Sequence, residues 1–304
     1  MSQAIPFVRE LQFEYGRVDT LSPLLRRVIA RNPSAFTFHG TGTYIIGHGS
    51  VAIVDPGPMD EAHIAAILNA VAGEKITHIF VTHTHMDHSP GCRLLRAHTD
   101  APTYGFGSHG SGKAEQGVVV EEGGDMEFTP DVTVRDGDVI EGDGWSVECV
   151  HTPGHTSNHI CFALREERAL LSGDHVMGWS TSIVSPPDGD MAEYMRSLDK
   201  LLARNDDHYW PTHGPRIDAP KPLIEAFIGH RRQRDQQILA CLADGVSDIC
   251  QMVPRMYKGV DERLYPAAAR SVLAHLVQLV GDGRAVCSGK PGIESVYGQG
   301  TQAQ

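Results

Sequence analysis

The segment VTHTHMDHSPGC, residues 81–92, places four metal-binding side chains within six positions: His83, His85, Asp87 and His88. Imidazole suits zinc and similar divalent ions, and a carboxylate adds charge neutralisation. A tight turn can aim His83 and His85 at one ion, and Asp87 with His88 at a second. One turn cannot close either site, so we expect further ligands from elsewhere in the chain.

Three more segments offer such ligands beside Gly or Pro: TPGHT with His155, SGDH with Asp174 and PTHG with His213. Each lies at the predicted end of a strand, where a rigid sheet holds the loop that carries it. Together with the first cluster they predict a metal centre. Ser89 or Ser172 could act as a nucleophile instead, but neither lies in the context of a nucleophile elbow, so we discard that mechanism.

Short strands and Gly-rich turns surround these residues. KITHIFVT, residues 75–82, predicts an apolar strand that leads into the histidine cluster, and DEAHIAAILNAVAGE, residues 60–74, predicts the helix before it. Further strands are predicted at residues 35–38, 43–47, 51–55, 131–134, 145–151, 159–164 and 168–173, and a helix at 190–204.

The composition is that of a globular protein, with 304 residues, 41% hydrophobic side chains and a formal net charge of -12. The charge is uneven: residues 221–304 hold ten Lys or Arg against eight Asp or Glu, which leaves sixteen against thirty before them. The acidic part should repel polyanions. Since no signal-peptide pattern, membrane-length apolar run or CxxC pair occurs, we expect a cytoplasmic protein with free thiols and no membrane partner.

A connector is predicted at PTHGPRIDAPKP, residues 211–222, because it carries four prolines. We therefore place a domain boundary near residue 220. Beyond it we predict a helix at 222–243, a short helix capped by Ser247 and broken at Pro254, and a third helix within 261–283 that stops at Gly281. A hairpin at 282–298 completes this part.

The full ligand set resembles the signature of the metallo-beta-lactamase superfamily, HxHxDH followed by His, Asp and His. All seven positions match in order, over roughly the first 215 residues. The resemblance implies an α/β (α+β) chain with a four-layer αββα sandwich and two metals in a groove at one sheet edge. We expect a catalytic domain at residues 1–219 and a small winged-helix-like domain at residues 220–304.

The resemblance also implies a role for each ligand. The first metal would be held by His83, His85 and His155, the second by Asp87, His88 and His213, and Asp174 would bridge the two. Asp87 and Asp174 would be the catalytic carboxylates, because they offset the charge of two dications. Asp55 in VDPG and His159 in GHTSNH match family positions that support the ligands from behind.

Two divalent ions about 3.5–4 Å apart can hold a bridging water whose pKa falls from about 15.7 towards about 7. The resulting hydroxide would attack a carbonyl carbon or a phosphorus, and the metals would stabilise the developing oxyanion. Imidazole ligands favour Zn²⁺, with Fe and Mn as alternatives.

Two loops are candidates for substrate contacts. GWSTSIVSPPDGDMAEYM, residues 178–195, begins just after Asp174, and we expect it to line the pocket with Trp179, Ser180, Thr181 and Ser182. GFGSHGSGKAEQG, residues 105–117, is either a mobile lid or an ordinary loop. EEGGDME, residues 121–127, is interpreted as a solvated acidic rim.

The predicted C-terminal helices and hairpin are similar to the beta-lactamase-like protein 2 group of the superfamily. That group implies cleavage of single-stranded RNA, with backbone contacts from Arg231, Arg232, Arg234, Arg284 and Lys290. A net charge of about +2 is weak for a polyanion binder. The domain could equally cap the substrate groove or form a homodimer.

We therefore predict a dinuclear metal-dependent hydrolase that acts on a small ester, thioester or lactone, with a single-stranded RNA endonuclease as the alternative. Beta-lactam hydrolysis is disfavoured, because Asp174 stands where enzymes of the cysteine-ligand type carry Cys. An inactive binding module is disfavoured because no ligand is missing.

Overall fold

The computed structural model describes residues 5–110 and 123–301, so parts of the predicted lid and acidic rim, at 111–117 and 121–122, lie outside the described residues. Within those ranges the first sheet has seven strands in chain order: β1 (Val18–Thr20), β2 (Leu25–Ile29), β3 (Gly42–Ile46), β4 (Ser50–Val54), β5 (Lys75–Phe80), β6 (Thr103–Gly105) and β7 (Val132–Thr133). Pairing is antiparallel from β1 to β4 and parallel from β4 to β7. Helix α1 (Glu61–Ala70) lies between β4 and β5, and helix α2 (Gly91–Leu95) lies between β5 and β6.

The second sheet has the order β12-β11-β10-β9-β8 among the described strands. Its strands are β8 (Val139–Glu141), β9 (Ser146–His151), β10 (Ile160–Leu164), β11 (Ala169–Gly173) and β12 (His208–Pro211). Helix α3 (Met191–Leu202) connects β11 to β12, which pair in parallel, while the other neighbours are antiparallel.

Three helices and a hairpin follow: α4 (Pro220–Ala243), α5 (Ile249–Met256), α6 (Tyr265–Gly281), β13 (Ala285–Cys287) and β14 (Tyr297–Gln299). Their apolar faces share a core that includes Ile238, Met252, Val272 and Leu276. None of the helices in the described ranges has both the length and the apolar character needed to cross a membrane.

Alternating strand side chains give each sheet two apolar faces. Tyr44, Ile46 and Phe80 of the first sheet pack against Phe162 and Leu171 of the second. On the outer faces, α1 and α2 cover the first sheet, while α3 and α4 cover the second. The expected four-layer αββα sandwich is confirmed.

Helix α4 belongs to two cores. Its first half packs Leu223, Ile224 and Phe227 under the second sheet, and its second half packs Ile238 and Leu242 in the C-terminal core. The division into residues 1–219 and 220–304 stays a prediction, because this helix joins the two parts without a break.

The predicted strand at 35–38 is wrong. Ser34 and Phe38 form only an isolated bridge, and the strands that pair with β3 are Leu25–Ile29 and Ser50–Val54. The hydroxyl of Ser34 accepts hydrogen bonds from the amides of Phe36 and Thr37, and Phe38 has φ +59°. A side-chain turn and a left-handed residue replace extended backbone here.

Helix α5 also differs from the prediction. Its cap is Asp248, whose carboxylate accepts from the amide of Gln251, rather than Ser247. Pro254 lies inside the helix instead of breaking it. Proline removes the hydrogen bond to the carbonyl four residues earlier, and that residue, Cys250, is exposed to solvent.

Candidate metal centre

Seven ligand-type side chains meet at one edge of the sandwich. His83 and His85 follow β5, His155 follows β9, and Asp174 and His213 follow β11 and β12. The turn after β5 brings in Asp87 and His88 as well. All except Asp87 are buried, and Asp87 is half-buried.

One group contains three imidazoles. Nδ1 of His85 lies 3.0 Å from Nε2 of His83 and 3.2 Å from Nε2 of His155. Two nitrogen ligands that each lie about 2.0–2.1 Å from a tetrahedral ion are about 3.3 Å from each other. The three nitrogens here therefore have nearly the spacing of three ligands of one ion.

A second group forms around Asp87. Its Oδ2 atom lies 3.2 Å from Nε2 of His213 and 3.4 Å from Nε2 of His88. Oδ2 of Asp174 lies 3.3 Å and 3.5 Å from the same two nitrogens, and 3.9 Å from Nε2 of His155. One carboxylate oxygen thus lies close to ligands of both groups.

The residues fit divalent cations. Nε2 of His88 and Oδ1 of Asp174 are buried without a hydrogen-bond partner in the described chain, as are both carboxylate oxygens of nearby Asp188. An unpaired buried polar atom costs about 1–3 kcal/mol, and more when it is charged. A cation held by the ligands would offset that cost for His88 and Asp174, and buried imidazoles beside carboxylates are the donor set that zinc and iron prefer.

Burial, followed by the neighbouring imidazoles, holds the pKa values of His83 and His85 well below the usual range. Burial opposes charge on Asp174, but His213 and His88 hold the pKa of its carboxyl well below normal. Burial also opposes charge on His213, yet Asp174 and Asp87 raise its pKa to about 10. Neutral imidazole and ionised carboxylate are the forms that bind metal, so three of these four groups are already in that form.

Two residues outside the ligand set form hydrogen bonds with ligand residues. Asp55, at φ +51°, accepts hydrogen bonds from Nδ1 of His88 and from the amide and hydroxyl of Thr82. Nε2 of His159 accepts from the amide of Asp174 at 3.1 Å. A Cβ on Gly173 would lie 2.4 Å from that ring nitrogen, so only glycine fits between Asp174 and His159.

A cavity of about 330 Å³ opens onto these ligands. Its apolar lining consists of Phe36, Met86, Met177 and Ile183, and its polar lining adds Asn32, Ser34 and Thr37 to Asp87, His155, Asp174 and His213. No signal in the sequence indicated Asn32 and Ser34 in this lining, and Phe36 and Thr37 lie in the stretch 35–38 that was predicted as a strand.

Groups in and beside the cavity lining also form hydrogen bonds with the ligands. The hydroxyl of Thr41 donates to Oδ2 of Asp87, and the carbonyl of Gly40 accepts from Nδ1 of His213. On the other wall, the carbonyl of Ile183 accepts from Nδ1 of His155 at 2.6 Å. The two hydrogen bonds to His213 and His155 leave Nε2 of each ring free to bind a metal, and the one from Thr41 holds the carboxylate of Asp87.

The predicted pocket residues lie beside this lining. Trp179 stacks on Phe38, with ring centroids 4.8 Å apart, and the hydroxyl of Ser180 donates to the carbonyl of Thr181. The hydroxyl of Ser182 donates to the carbonyls of Asp174 and His175. Among the described residues, the cavity lining contains none of residues 179–182.

The predicted RNA contacts are scattered. Arg231 is buried at 4% exposure, which corrects its assignment to an RNA surface, while Arg232 is exposed. The guanidinium of Arg234 lies over the ring of Tyr257, and Nη1 of Arg284 lies 3.8 Å from Oδ2 of Asp235. Lys290 is exposed in the hairpin loop.

Comparison with known proteins shows the family of this chain. A sequence model of the metallo-beta-lactamase superfamily matches residues 37–213, more than half of the chain. The chain belongs to this superfamily. A second model, the beta-lactamase associated winged helix domain, matches residues 249–292. The expected C-terminal winged helix is confirmed, and superfamily membership makes the protein a metal-dependent hydrolase.

Individual relatives agree with this membership. A beta-lactamase-like protein 2 homolog of Drosophila melanogaster is 34% identical over 278 residues, 88% of this chain and 91% of its own. An atrochrysone carboxyl ACP thioesterase of Cryptosporiopsis sp. (strain 8999) is 32% identical over 229 residues, 74% and 65% of the two chains. A solved metallo-beta-lactamase family protein of Thermus thermophilus has a TM-score of 0.74 at 22% identity, covering 92% and 100%.

Proposed function

We propose that this superfamily member hydrolyses a neutral, apolar acyl ester, thioester or lactone at two divalent cations, with Zn²⁺ as the favoured metal. The lining of the cavity carries the proposal: it contains four apolar side chains and, among the described residues, neither Lys nor Arg. The two cations could bind the reacting group of an acyl ester or of a phosphodiester, so the rest of the lining is what favours a substrate whose other groups are uncharged and apolar. The thioesterase relative supports the thioester class.

We assign His83, His85 and His155 to one cation, Asp87, His88 and His213 to the other, and Asp174 to both. When bound, two such ions supply a water of lowered pKa and stabilise negative charge on the attacked carbonyl oxygen. The carboxylates of Asp87 and Asp174 offset the charge of the dications in the buried site.

The chain's own residues set the geometry. Asp55, the carbonyl of Gly40 and the carbonyl of Ile183 each accept a hydrogen bond from Nδ1 of a histidine, so that Nε2 of His88, His213 and His155 is left to face the other ligands. Phe36 and Met177 would bind the acyl chain and exclude water around the scissile bond.

Single-stranded RNA cleavage is the alternative, since the beta-lactamase-like protein 2 resemblance raised it. The burial of Arg231 and the acidic first 220 residues argue against a polyanion, because a nucleic-acid groove needs accessible positive charge.

The test compares two probes with the zinc-loaded protein: a panel of acyl thioesters, esters and lactones, and a labelled single-stranded RNA. Each is repeated with Asp87→Ala and with Asp100→Ala, an exposed carboxylate before β6 that serves as the control. We expect acyl cleavage that Asp87→Ala abolishes and Asp100→Ala keeps. RNA cleavage that weakens with added salt, without acyl cleavage, would overturn the proposal.

A further inference from the structure

Arg231 is a buried cation that the proposed chemistry does not use. It lies on α4, the helix shared by the sandwich and the C-terminal core, and only 4% of its surface is exposed. Its Nη2 donates to the carbonyl of Ser182, and its guanidinium lies 5.2 Å from the ring centre of Tyr194. Within the described ranges no carboxylate forms an ion pair with it. Burying a charge without an ion-pair partner is costly, so the presence of Arg231 at this buried position needs an explanation.

Ser182 holds the backbone of a proposed metal ligand. Its hydroxyl donates to the backbone carbonyl of the ligand Asp174 and, at 2.8 Å, to that of His175. The hydroxyl of Tyr194, under the guanidinium, donates to the same carbonyl of His175 at 3.0 Å. Arg231 therefore touches both groups that hold the backbone around Asp174.

The next residue along the chain reaches a second ligand. The carbonyl of Ile183 accepts from Nδ1 of His155, and the Ile183 side chain lines the cavity. A shift of the peptide between Ser182 and Ile183 would move this carbonyl and the hydroxyl that holds Asp174 together. Hydrogen bonds behind the ligands typically contribute 10–100-fold to metal affinity.

We propose that Arg231 is a positioning residue through which helix α4, shared by the sandwich and the C-terminal core, fixes the segment 174–183, and with it Asp174 and His155. Helix α4, whose second half packs in the C-terminal core, then supports the metal centre. The inference rests on the proposed metal centre, but it concerns the chain's own hydrogen bonds.

The test measures zinc affinity by competition with a chromophoric chelator in full-length wild type, Arg231→Met, Arg231→Lys and the control Arg232→Met. Arg232 is the exposed neighbour on the same helix. We expect about tenfold weaker zinc binding in Arg231→Met, a smaller loss in Arg231→Lys, and no change in Arg232→Met. Lysine can donate to Ser182 but lacks the planar guanidinium over Tyr194.

Thermal unfolding of each variant separates a local effect from loss of the fold. If Arg231→Met does not fold, Arg231→Lys decides, and wild-type affinity in that variant overturns the inference. Wild-type affinity in a folded Arg231→Met overturns it as well. A wild-type protein without zinc binding would instead refute the proposed function, so the two failures are distinguishable.

Discussion

The carboxylate of Asp55 lies 2.9 Å from Nδ1 of His88, and both side chains are almost completely buried. Oδ2 of Asp55 also accepts from the hydroxyls of Thr82 and Thr212, which follow β5 and β12. One carboxylate on the loop after β4 therefore joins three strand ends and turns Nε2 of His88 towards the other ligands.

Replacing Asp55 by Asn should weaken the second metal site while the sandwich still folds. The amide keeps the size of the carboxylate but accepts less strongly from His88, and the loss of such a partner typically costs 10–100-fold in metal affinity. Zinc titration of Asp55→Asn checks this. Asp60→Asn is the control, because Asn caps helix α1 as well as Asp does. Equal zinc affinity in both variants would contradict the role given to Asp55.

Gly91 should tolerate no side chain. A Cβ there would lie 2.6 Å from the carbonyl oxygen of Pro56 and 2.9 Å from that of Gly57, on the loop that follows Asp55. We expect Gly91→Ala to lower the free energy of unfolding by about 1–3 kcal/mol in urea titration. Gly229→Ala is the control: nothing lies near its Cβ position inside α4, so it should be neutral or stabilising. Equal effects would be inconsistent with close packing of the start of α2 against the loop that follows Asp55.

Phe36 should determine preference for long acyl chains. Truncating it removes apolar lining next to the ligands, so Phe36→Ala should lower kcat/KM for a long-chain thioester about tenfold relative to a short one. The ratio of the two values is the readout, and Phe36→Leu should restore most of it. An unchanged ratio in Phe36→Ala would mean that the acyl chain binds elsewhere.

His63 should make the protein sensitive to acid. Burial lowers its pKa from 6.5 to about 4, and its Nε2 lies 2.7 Å from the hydroxyl of Thr43. Below pH 6.5 the unfolded chain takes up this proton first. Stability that is complete above pH 6.5 is therefore lost as the pH falls towards 4.

Urea unfolding of metal-loaded wild type and His63→Gln at pH 7 and pH 5 measures this loss. The wild type should lose roughly 2 kcal/mol more than the variant between these pH values. Identical pH dependence in the two proteins would assign the acid sensitivity to other groups.

The fold was predictable where the pattern is local and repeated. The apolar run of β5 ends directly at the histidine cluster, and Gly or Pro marks the other strand ends, so the position of the ligands followed from periodicity and punctuation. The resemblance supplied the order of the layers, which the structure confirms. The role of each ligand stays a prediction.

Long-range contacts were not predictable. The stretch at 34–38 looks extended, yet the side chain of Ser34 and the left-handed Phe38 turn it into a cavity wall. Arg231 looks like part of a basic helix face, but its burial depends on Tyr194 and Ser182, which lie 37 and 49 positions earlier in the chain. No local pattern encodes those neighbours.

The central claim is that seven side chains hold two cations that carry out the hydrolysis. The most direct test counts zinc by elemental analysis after dialysis, for wild type and Asp174→Asn, alongside hydrolysis of an acyl thioester. We expect two zinc ions per wild-type chain, at most one in the variant, and loss of hydrolysis in the variant, because Asp174 Oδ2 lies near both ligand groups. Two retained zinc ions and full activity in Asp174→Asn would contradict this claim.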